Sequence, residues 1–172
     1  MRAACVGVGA TCEVEGRCRR RLARGAGWGR GSGSVGSMST VVNVGLLGCG
    51  NVGGALVDLV AEQRDEIAAR TGIELRISRI AVHSTAKDRG LDIAAEVFTT
   101  DAATVVADPA IDVVVETIGG IEPARELVLT ALAAGKPVIT ANKELLANHG
   151  AELYDAAAAA GVDLLFEAAV AG

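Results

Sequence analysis

The sequence of 172 residues has few aromatic side chains and no long hydrophobic run. Aromatic residues make up 2% of the chain and apolar residues 51%, so the interior must be built from Ala, Val, Leu and Ile, as where helices pack on a sheet. No uninterrupted apolar stretch of about 18 residues occurs, which excludes a membrane-spanning helix. The length suits one domain of ordinary size and excludes a large multidomain assembly.

The chain also lacks an excess of positive charge. Its formal net charge is −5, which gives no general attraction to nucleic acid or to an anionic membrane, because such binding needs a basic surface that releases counterions. An anionic ligand must therefore be bound locally. We expect a small-molecule ligand and neither nucleic acid nor a membrane as partner.

The charge is divided unevenly between two segments. Residues 1–38 have a net charge of +5 and hold nine of the 22 Gly, whereas residues 39–172 have a net charge of −10. The first segment has no apolar periodicity that would let it bury a face, so we predict a disordered extension. No continuous apolar stretch follows its basic residues, which excludes a secretory signal. A transit peptide fits the Arg content but not the low Ser content, and a translation start placed too early, with Met38 as the alternative, is favoured.

Three of the four cysteines lie in this first segment. Cys5, Cys12 and Cys18 are spaced by seven and six residues and have no His partner nearby, which matches no zinc-binding pattern. A reduced, cytoplasmic setting is expected.

Strands and helices alternate from residue 41 onward. Short β-branched or apolar runs predict strands at 41–47, 75–82, 96–100, 111–117, 137–140 and 162–167. Helical spacing predicts helices from Val52 to the stop at Gly72, from the cap Asp101 through Ala107, over 122–134 and over 143–160. Strands separated by helices pair in parallel through right-handed crossovers. Residues 39–172 are therefore predicted to form an α/β domain, a doubly wound Rossmann-like parallel sheet with helices on both faces.

A glycine-rich turn follows the first predicted strand. Its sequence is Gly48-Cys49-Gly50-Asn51-Val52-Gly53, the G-x-G-x-x-G spacing between a strand and a helix that is typical of dinucleotide-binding domains. The first Gly permits the tight turn, the second lets the backbone approach a pyrophosphate, and the third, Gly53, lets helix and strand pack closely. Amides at the helix start, from about Asn51 and Val52, then face the anion. We expect a bulky residue at Gly50 or Gly53 to fill the pyrophosphate's space and abolish cofactor binding.

The end of the second strand bears on which dinucleotide is bound. NAD-preferring domains usually place Asp or Glu there to bind the ribose 2′-hydroxyl. In this chain the second strand is followed by His83-Ser84-Thr85-Ala86-Lys87, and an acidic residue, Asp88, comes only after them. Hydroxyl and cationic groups suit a 2′-phosphate, which favours NADP and leaves NAD open. His83 is the candidate for contacting the adenosine end. A solvated polar loop would explain Asp88 and Arg89 equally well.

Two further strand ends complete the predicted site, because ligands lie beyond the carboxyl ends of the strands. Thr117 and Gly119 follow the strand at 111–117 and would approach a nicotinamide ribose, although a simple turn explains them as well. Lys143 follows the strand at 137–140, where it can bind a carboxylate or polarise a carbonyl. From position alone, a solvated lysine at a helix start is the commoner case.

Three collinear motifs, GLLGCGNVGGALVDL, TANKELLANHGAELY and FEAAVAG, resemble the nucleotide-binding domain of homoserine dehydrogenases over residues 41–172. The resemblance implies NAD(P)-dependent interconversion of L-homoserine and L-aspartate 4-semialdehyde in threonine and methionine biosynthesis. It also implies that Lys143 lies beside nicotinamide and substrate. A sodium ion would be bound by Glu167 and by the backbone at Val170 and Gly172.

Members of that family continue after FEAAVAG into a substrate and dimerisation domain that carries the principal acid/base lysine. We therefore expect this chain to supply half of an active site, to bind cofactor with negligible turnover by itself, and to act as a homodimer in its full-length form. Two alternatives stay open. One is another semialdehyde or amino-acid dehydrogenase, and the other is a catalytically silent NADP-binding module or gene remnant.

Overall fold

A computed structural model describes residues 40–166, and the extension predicted over 1–38 lies outside this range. The strands of the described part are β1 (Thr40–Leu47), β2 (Ile73–Ala81), β3 (Phe98–Thr99), β4 (Val113–Glu116), β5 (Val138–Thr140) and β6 (Leu164–Phe166). The helices are α1 (Asn51–Glu62), α2 (Arg64–Thr71), α3 (Ala102–Ala107), α4 (Ala124–Ala133) and α5 (Lys143–Ala160), with a single 3₁₀ turn (Ala95–Val97) before β3. No helix among these residues is long and apolar enough to cross a membrane.

The strands form one parallel sheet in the order β3-β2-β1-β4-β5-β6. From β1 the chain winds outward through β2 to β3 and then returns to β4 on the other side of β1, so the winding direction reverses between β1 and β4. This is the doubly wound order of dinucleotide-binding domains, and the predicted fold class is confirmed. The outer strands are shorter than predicted, and β3 keeps only two residues.

Helices cover both faces of the sheet because side chains along each strand alternate between the faces. On one face α3, α4 and α5 enclose the larger apolar cluster, to which β1 contributes Leu47 and α4 contributes Leu132. On the other face Val57 of α1 packs with Leu46 and Ile80. The glycine turn that follows β1 lies near the middle of the sheet edge, because β1 is a central strand.

One predicted helix is divided in two. The helix expected from Val52 to Gly72 breaks at Gln63, which ends α1 and precedes α2. Gln63 is polar, although it falls on the apolar stripe of α1, and α2 buries none of its residues. A continuous helix across Gln63 would therefore gain little stability from apolar burial. The predicted stop is confirmed, since Gly72 ends α2 in the left-handed conformation with φ 71°.

Candidate functional site

The carboxyl ends of the central strands lie level with one another. The register pairs Leu47 of β1 with Ala81 of β2 and Glu116 of β4, and Glu116 pairs in turn with Thr140 of β5. A cleft of about 540 Å³ opens beside the ends of β1, β2 and β4. Its volume lies in the usual range for small-ligand sites, and it lies where the winding direction reverses, which is where α/β sheets bind ligands.

The glycines of the turn after β1 differ in what surrounds them. Gly48 has φ +94°, and a Cβ there would lie 3.0 Å from the backbone of Thr117 and of Ile118. A Cβ on Gly53 would lie 2.4 Å from the carbonyl oxygen of Gly48. A Cβ on Gly50 would meet no atom within 4 Å, and Gly50 lines the cleft. A side chain at Gly53 would therefore strike the backbone of the glycine turn, and the expected reason, that it would fill the pyrophosphate's space, is corrected to a clash within the protein.

The start of α1 presents backbone amides at this turn. Gly50 is the N-cap and offers no side-chain hydrogen bond to them. The first helical bond runs from Gly54 N–H to Gly50 O at 2.8 Å, so the amides of Asn51, Val52 and Gly53 precede it. Asn51 and Val52 are exposed, and Val52 is one of the large apolar side chains that remain in solvent. Amides without a helical partner at a positive helix terminus form an anion-binding site.

The end of the cleft beside the loop after β2, called the far end below, is lined by basic and hydroxyl groups. His83, Ser84, Lys87 and Arg89 all line it, and none of its described lining residues is Asp or Glu. His83, Ser84 and Lys87 are exposed. Lys87 and Arg89 thus place two cationic side chains at this end, beside the hydroxyl of Ser84.

Arg89 was not singled out from the sequence, yet it organises this loop. Its guanidinium donates to Ser84 O at 2.9 Å and to Lys87 O at 2.8 Å, and its Nε donates to Cys49 O at 3.4 Å. The guanidinium also lies 5.4 Å from the centroid of the Phe98 ring, within cation–π range. One half-buried side chain thus joins the loop after β2 to the glycine turn after β1.

Cys49 forms part of the cleft wall in the glycine turn. Burial raises the pKa of its thiol, the positive charge of Arg89 opposes that rise, and the negative charge of Asp58 adds to it. The neutral thiol therefore dominates near neutral pH, which does not favour a role as nucleophile.

No group of three or more His, Cys, Asp and Glu within residues 40–166 could hold a metal ion. The sodium ligands predicted at Glu167, Val170 and Gly172 lie outside the described residues.

The loop after β4 contacts the glycine turn directly. The hydroxyl of Thr117 lies 3.1 Å from Gly48 O and 3.2 Å from Leu47 O, to which it donates. Gly119 follows with φ +80° and open space where a Cβ would be. The predicted pair Thr117 and Gly119 thus lies on a loop beside the cleft, and Thr117 lines it.

Lys143 is the first residue of α5 and is exposed. The preceding residue, Asn142, caps the helix by accepting a hydrogen bond from Leu145 N–H at 3.0 Å. Lys143 is not among the residues that line the cleft, but it follows β5 at the same edge of the sheet, because Thr140 pairs with Glu116.

Comparison with known proteins identifies relatives of this sequence. The family model described as "Homoserine dehydrogenase, NAD binding domain" matches residues 48–167. The homoserine dehydrogenase of Corynebacterium glutamicum is 51% identical over 144 residues, which are 84% of this chain and 31% of that protein. The homoserine dehydrogenase of Bacillus subtilis is 40% identical over 131 residues, 76% of this chain and 30% of that protein.

Solved structures agree with these matches. The crystal structure of Staphylococcus aureus homoserine dehydrogenase has a TM-score of 0.73 and 41% identity and covers 77% of this chain and 33% of its own. A hyperthermophilic archaeal homoserine dehydrogenase in complex with NADPH has a TM-score of 0.61 and 27% identity, and covers 74% and 44%. The chain spans about 30% of the length of the curated relatives. It belongs to the homoserine dehydrogenase family, in which it corresponds to the NAD-binding domain.

Proposed function

We propose that this domain binds NADP for the interconversion of L-homoserine and L-aspartate 4-semialdehyde. The observation that carries the proposal is the glycine turn: Gly50 borders open cleft space directly before Asn51 and Val52, two exposed residues whose amides precede the first helical bond. A diphosphate fits this arrangement, because the missing side chain permits close approach and the helix start supplies donors and positive potential. The archaeal relative, which has the same fold, was solved with NADPH.

The choice of NADP over NAD rests on the far end of the cleft. The described lining there includes Lys87 and Arg89 and no carboxylate. A carboxylate would bind a ribose 2′-hydroxyl and repel a 2′-phosphate, whereas cations attract the phosphate. His83 lies next to them and would contact the adenosine end.

When bound, the reduced nicotinamide would supply a hydride to the aldehyde carbon, and the oxidised form would accept one from the alcohol in the reverse direction. The residues of this chain would bind and orient it: the amides of Asn51 and Val52 hold the diphosphate, and the loop of Thr117 and Gly119 lies against the nicotinamide ribose. Lys143 would place positive charge where the substrate oxygen becomes anionic. The principal acid/base lysine would lie in the part of the relatives that this chain does not span.

Three further features belong to the proposal for the whole enzyme. These are a sodium ion at Glu167, Val170 and Gly172, a homodimeric state and a cytoplasmic location.

Fluorescence titration of the chain with NADPH and NADH tests the cofactor assignment. We expect tighter binding of NADPH, and we expect Lys87→Ala to weaken NADPH binding by about tenfold, the effect of one lost charged contact, while leaving NADH binding unchanged. Arg70→Ala, an exposed change on α2 away from the cleft lining, is the control. A folded chain that binds neither dinucleotide would contradict the proposal.

The reaction is tested in a chimera. This domain would replace the matching segment of the Corynebacterium glutamicum relative, and NADPH oxidation would be followed with L-aspartate 4-semialdehyde as substrate. We expect turnover by the chimera and almost none by the 172-residue chain alone. A chimera that folds and binds NADPH but does not turn over would instead favour a silent binding module.

A further inference from the structure

A buried carboxylate lies at the centre of the sheet edge. Glu116 ends β4 with none of its surface exposed, although burial of an ionised group is costly unless it is fully hydrogen-bonded. Every buried side-chain nitrogen and oxygen in the described part of the chain has a hydrogen-bond partner, and Glu116 meets this condition by bonding to two different loops.

The two carboxylate oxygens of Glu116 face in different directions. Oε1 accepts hydrogen bonds from the amides of Ile118 at 2.7 Å and Gly119 at 3.2 Å, in the loop after β4. Oε2 accepts from the hydroxyl of Thr140 at 2.5 Å, at the end of β5. The same hydroxyl oxygen accepts from Asn142 N–H at 3.0 Å. The carboxylate therefore joins the loop after β4 to the turn that precedes Lys143.

Asn142 closes the connection into a ring. Its side-chain amide donates to Gly120 O at 2.6 Å, in the loop after β4, while its side-chain oxygen caps α5 through Leu145 N–H. Gly119 and Gly120 have φ of 80° and 73°, a left-handed pair that glycine leaves conformationally free. The ring of Glu116, Thr140 and Asn142 fixes this pair and the first turn of α5 with respect to each other.

We propose that Glu116 is a positioning residue. Through Thr140 and Asn142 it fixes the position of Lys143 relative to the loop after β4. This inference rests on the proposed function, because Lys143 and the loop after β4 matter here only if a nicotinamide lies between them. An apolar side chain at 116 could fill the same space, but it would leave the amides of Ile118 and Gly119 and the hydroxyl of Thr140 without this acceptor.

Acetylation of lysines by acetic anhydride, mapped by mass spectrometry, tests the proposal in the 172-residue chain. The chain has three lysines: Lys87 in the cleft lining, Lys143 at the start of α5, and Lys136, which is 6% exposed. Saturating NADPH is expected to slow acetylation of Lys87 and of Lys143 relative to the rate that each shows without NADPH. The Lys87 signal thus reports cofactor binding separately from the Lys143 signal.

In Glu116→Gln the amide nitrogen cannot accept the bonds that one carboxylate oxygen now accepts. We expect Lys87 to stay protected at saturating NADPH, while the protection of Lys143 falls by about tenfold, the factor for one lost hydrogen bond to a charged group. Thr140→Val should behave like Glu116→Gln, and Thr140→Ser, which keeps the hydroxyl, should behave like the wild type. Thr130→Val, on exposed Thr130 of α4, is the control and should change nothing.

The outcomes separate the two proposals. Wild-type protein in which NADPH leaves Lys87 unprotected would overturn both. Wild-type protein in which Lys87 alone is protected would overturn the placement of Lys143, and with it this inference. Equal protection of Lys143 in wild type and Glu116→Gln would overturn the positioning role and leave cofactor binding intact. If Glu116→Gln does not fold, Thr140→Val decides, and wild-type protection of Lys143 in that variant would overturn the inference.

Discussion

Alanine at each of three neighbouring glycines should separate packing from ligand binding. Gly53→Ala would place a Cβ 2.4 Å from Gly48 O, about 1 Å inside the 3.4 Å at which ordinary contact begins. To remove this clash, α1 must move away from the turn after β1. Overpacking of this kind typically lowers the free energy of unfolding by about 1–3 kcal/mol. At about 4 °C per kcal/mol for a domain of this size, the Tm should fall by about 4–12 °C.

The two other glycines of the series have open space where a Cβ would be. Gly54→Ala lies inside α1 and should raise the free energy of unfolding by about 0.5–1 kcal/mol, because Ala is the better helix former. Gly50→Ala at the N-cap should change it by only about 0.5 kcal/mol. Its methyl group would enter the cleft where the diphosphate is proposed to bind, so we expect NADPH affinity to fall by about tenfold or more.

Urea denaturation followed by circular dichroism measures the stability of the three variants, and fluorescence titration measures their NADPH affinity. Stability of Gly53→Ala equal to that of the wild type would refute the close packing of α1 on the glycine turn. Wild-type NADPH affinity in Gly50→Ala would refute the assignment of the open space to the diphosphate. Gly54→Ala is the matched control, since it should bind NADPH as the wild type does.

Three further predictions concern single side chains. Arg89→Ala should weaken NADPH binding by about tenfold, because the hydrogen bonds of Arg89 to the loop after β2 are lost. Arg89→Lys should not restore the affinity, because a lysine lacks the planar guanidinium that reaches several carbonyls. Fluorescence titration of both variants measures the affinity, and wild-type affinity in Arg89→Ala would contradict the prediction. Because burial raises the pKa of the Cys49 thiol, its alkylation by iodoacetamide at pH 8 should be slower than that of a free thiol and should accelerate as the pH rises through that raised pKa. Addition of NADPH should slow the alkylation, which mass-spectrometric mapping distinguishes from that of the other cysteines. An alkylation rate that does not change with NADPH would contradict the place of Cys49 in the cleft wall. Asp101→Ala removes the side-chain cap of α3, whose oxygen accepts from Ala103 N–H at 3.0 Å and Thr104 N–H at 3.2 Å, and should lower the free energy of unfolding by about 1 kcal/mol; an unchanged urea midpoint would show that the cap contributes nothing.

Local signals were enough to predict most of the fold. The apolar runs of β1 and β2, the cap at Asp101 and the stop at Gly72 each act within a few residues, and the structure has them close to where the pattern indicated. The break at Gln63 was not predicted, because helical spacing continues across it and only the lack of tertiary burial along α2 distinguishes the two parts.

Interactions between distant parts of the chain were harder to predict. The sequence indicated that glycines, hydroxyls and cations would meet at one sheet edge, but Arg89 reads equally well as a solvated residue until its contacts with Cys49 and Phe98 are known. Glu116 reads as the polar end of a strand, and its role depends on Thr140, which comes 24 residues later. No local pattern encodes such pairs, since strand order and register bring them together.

A crystal structure of the chain with NADPH would show where each part of the cofactor binds. We predict diphosphate oxygens within hydrogen-bond distance of the amides of Asn51 and Val52, the 2′-phosphate beside Lys87, and the nicotinamide against the loop that begins at Thr117. A dinucleotide bound elsewhere, with the turn at Gly50 facing solvent, would contradict the account.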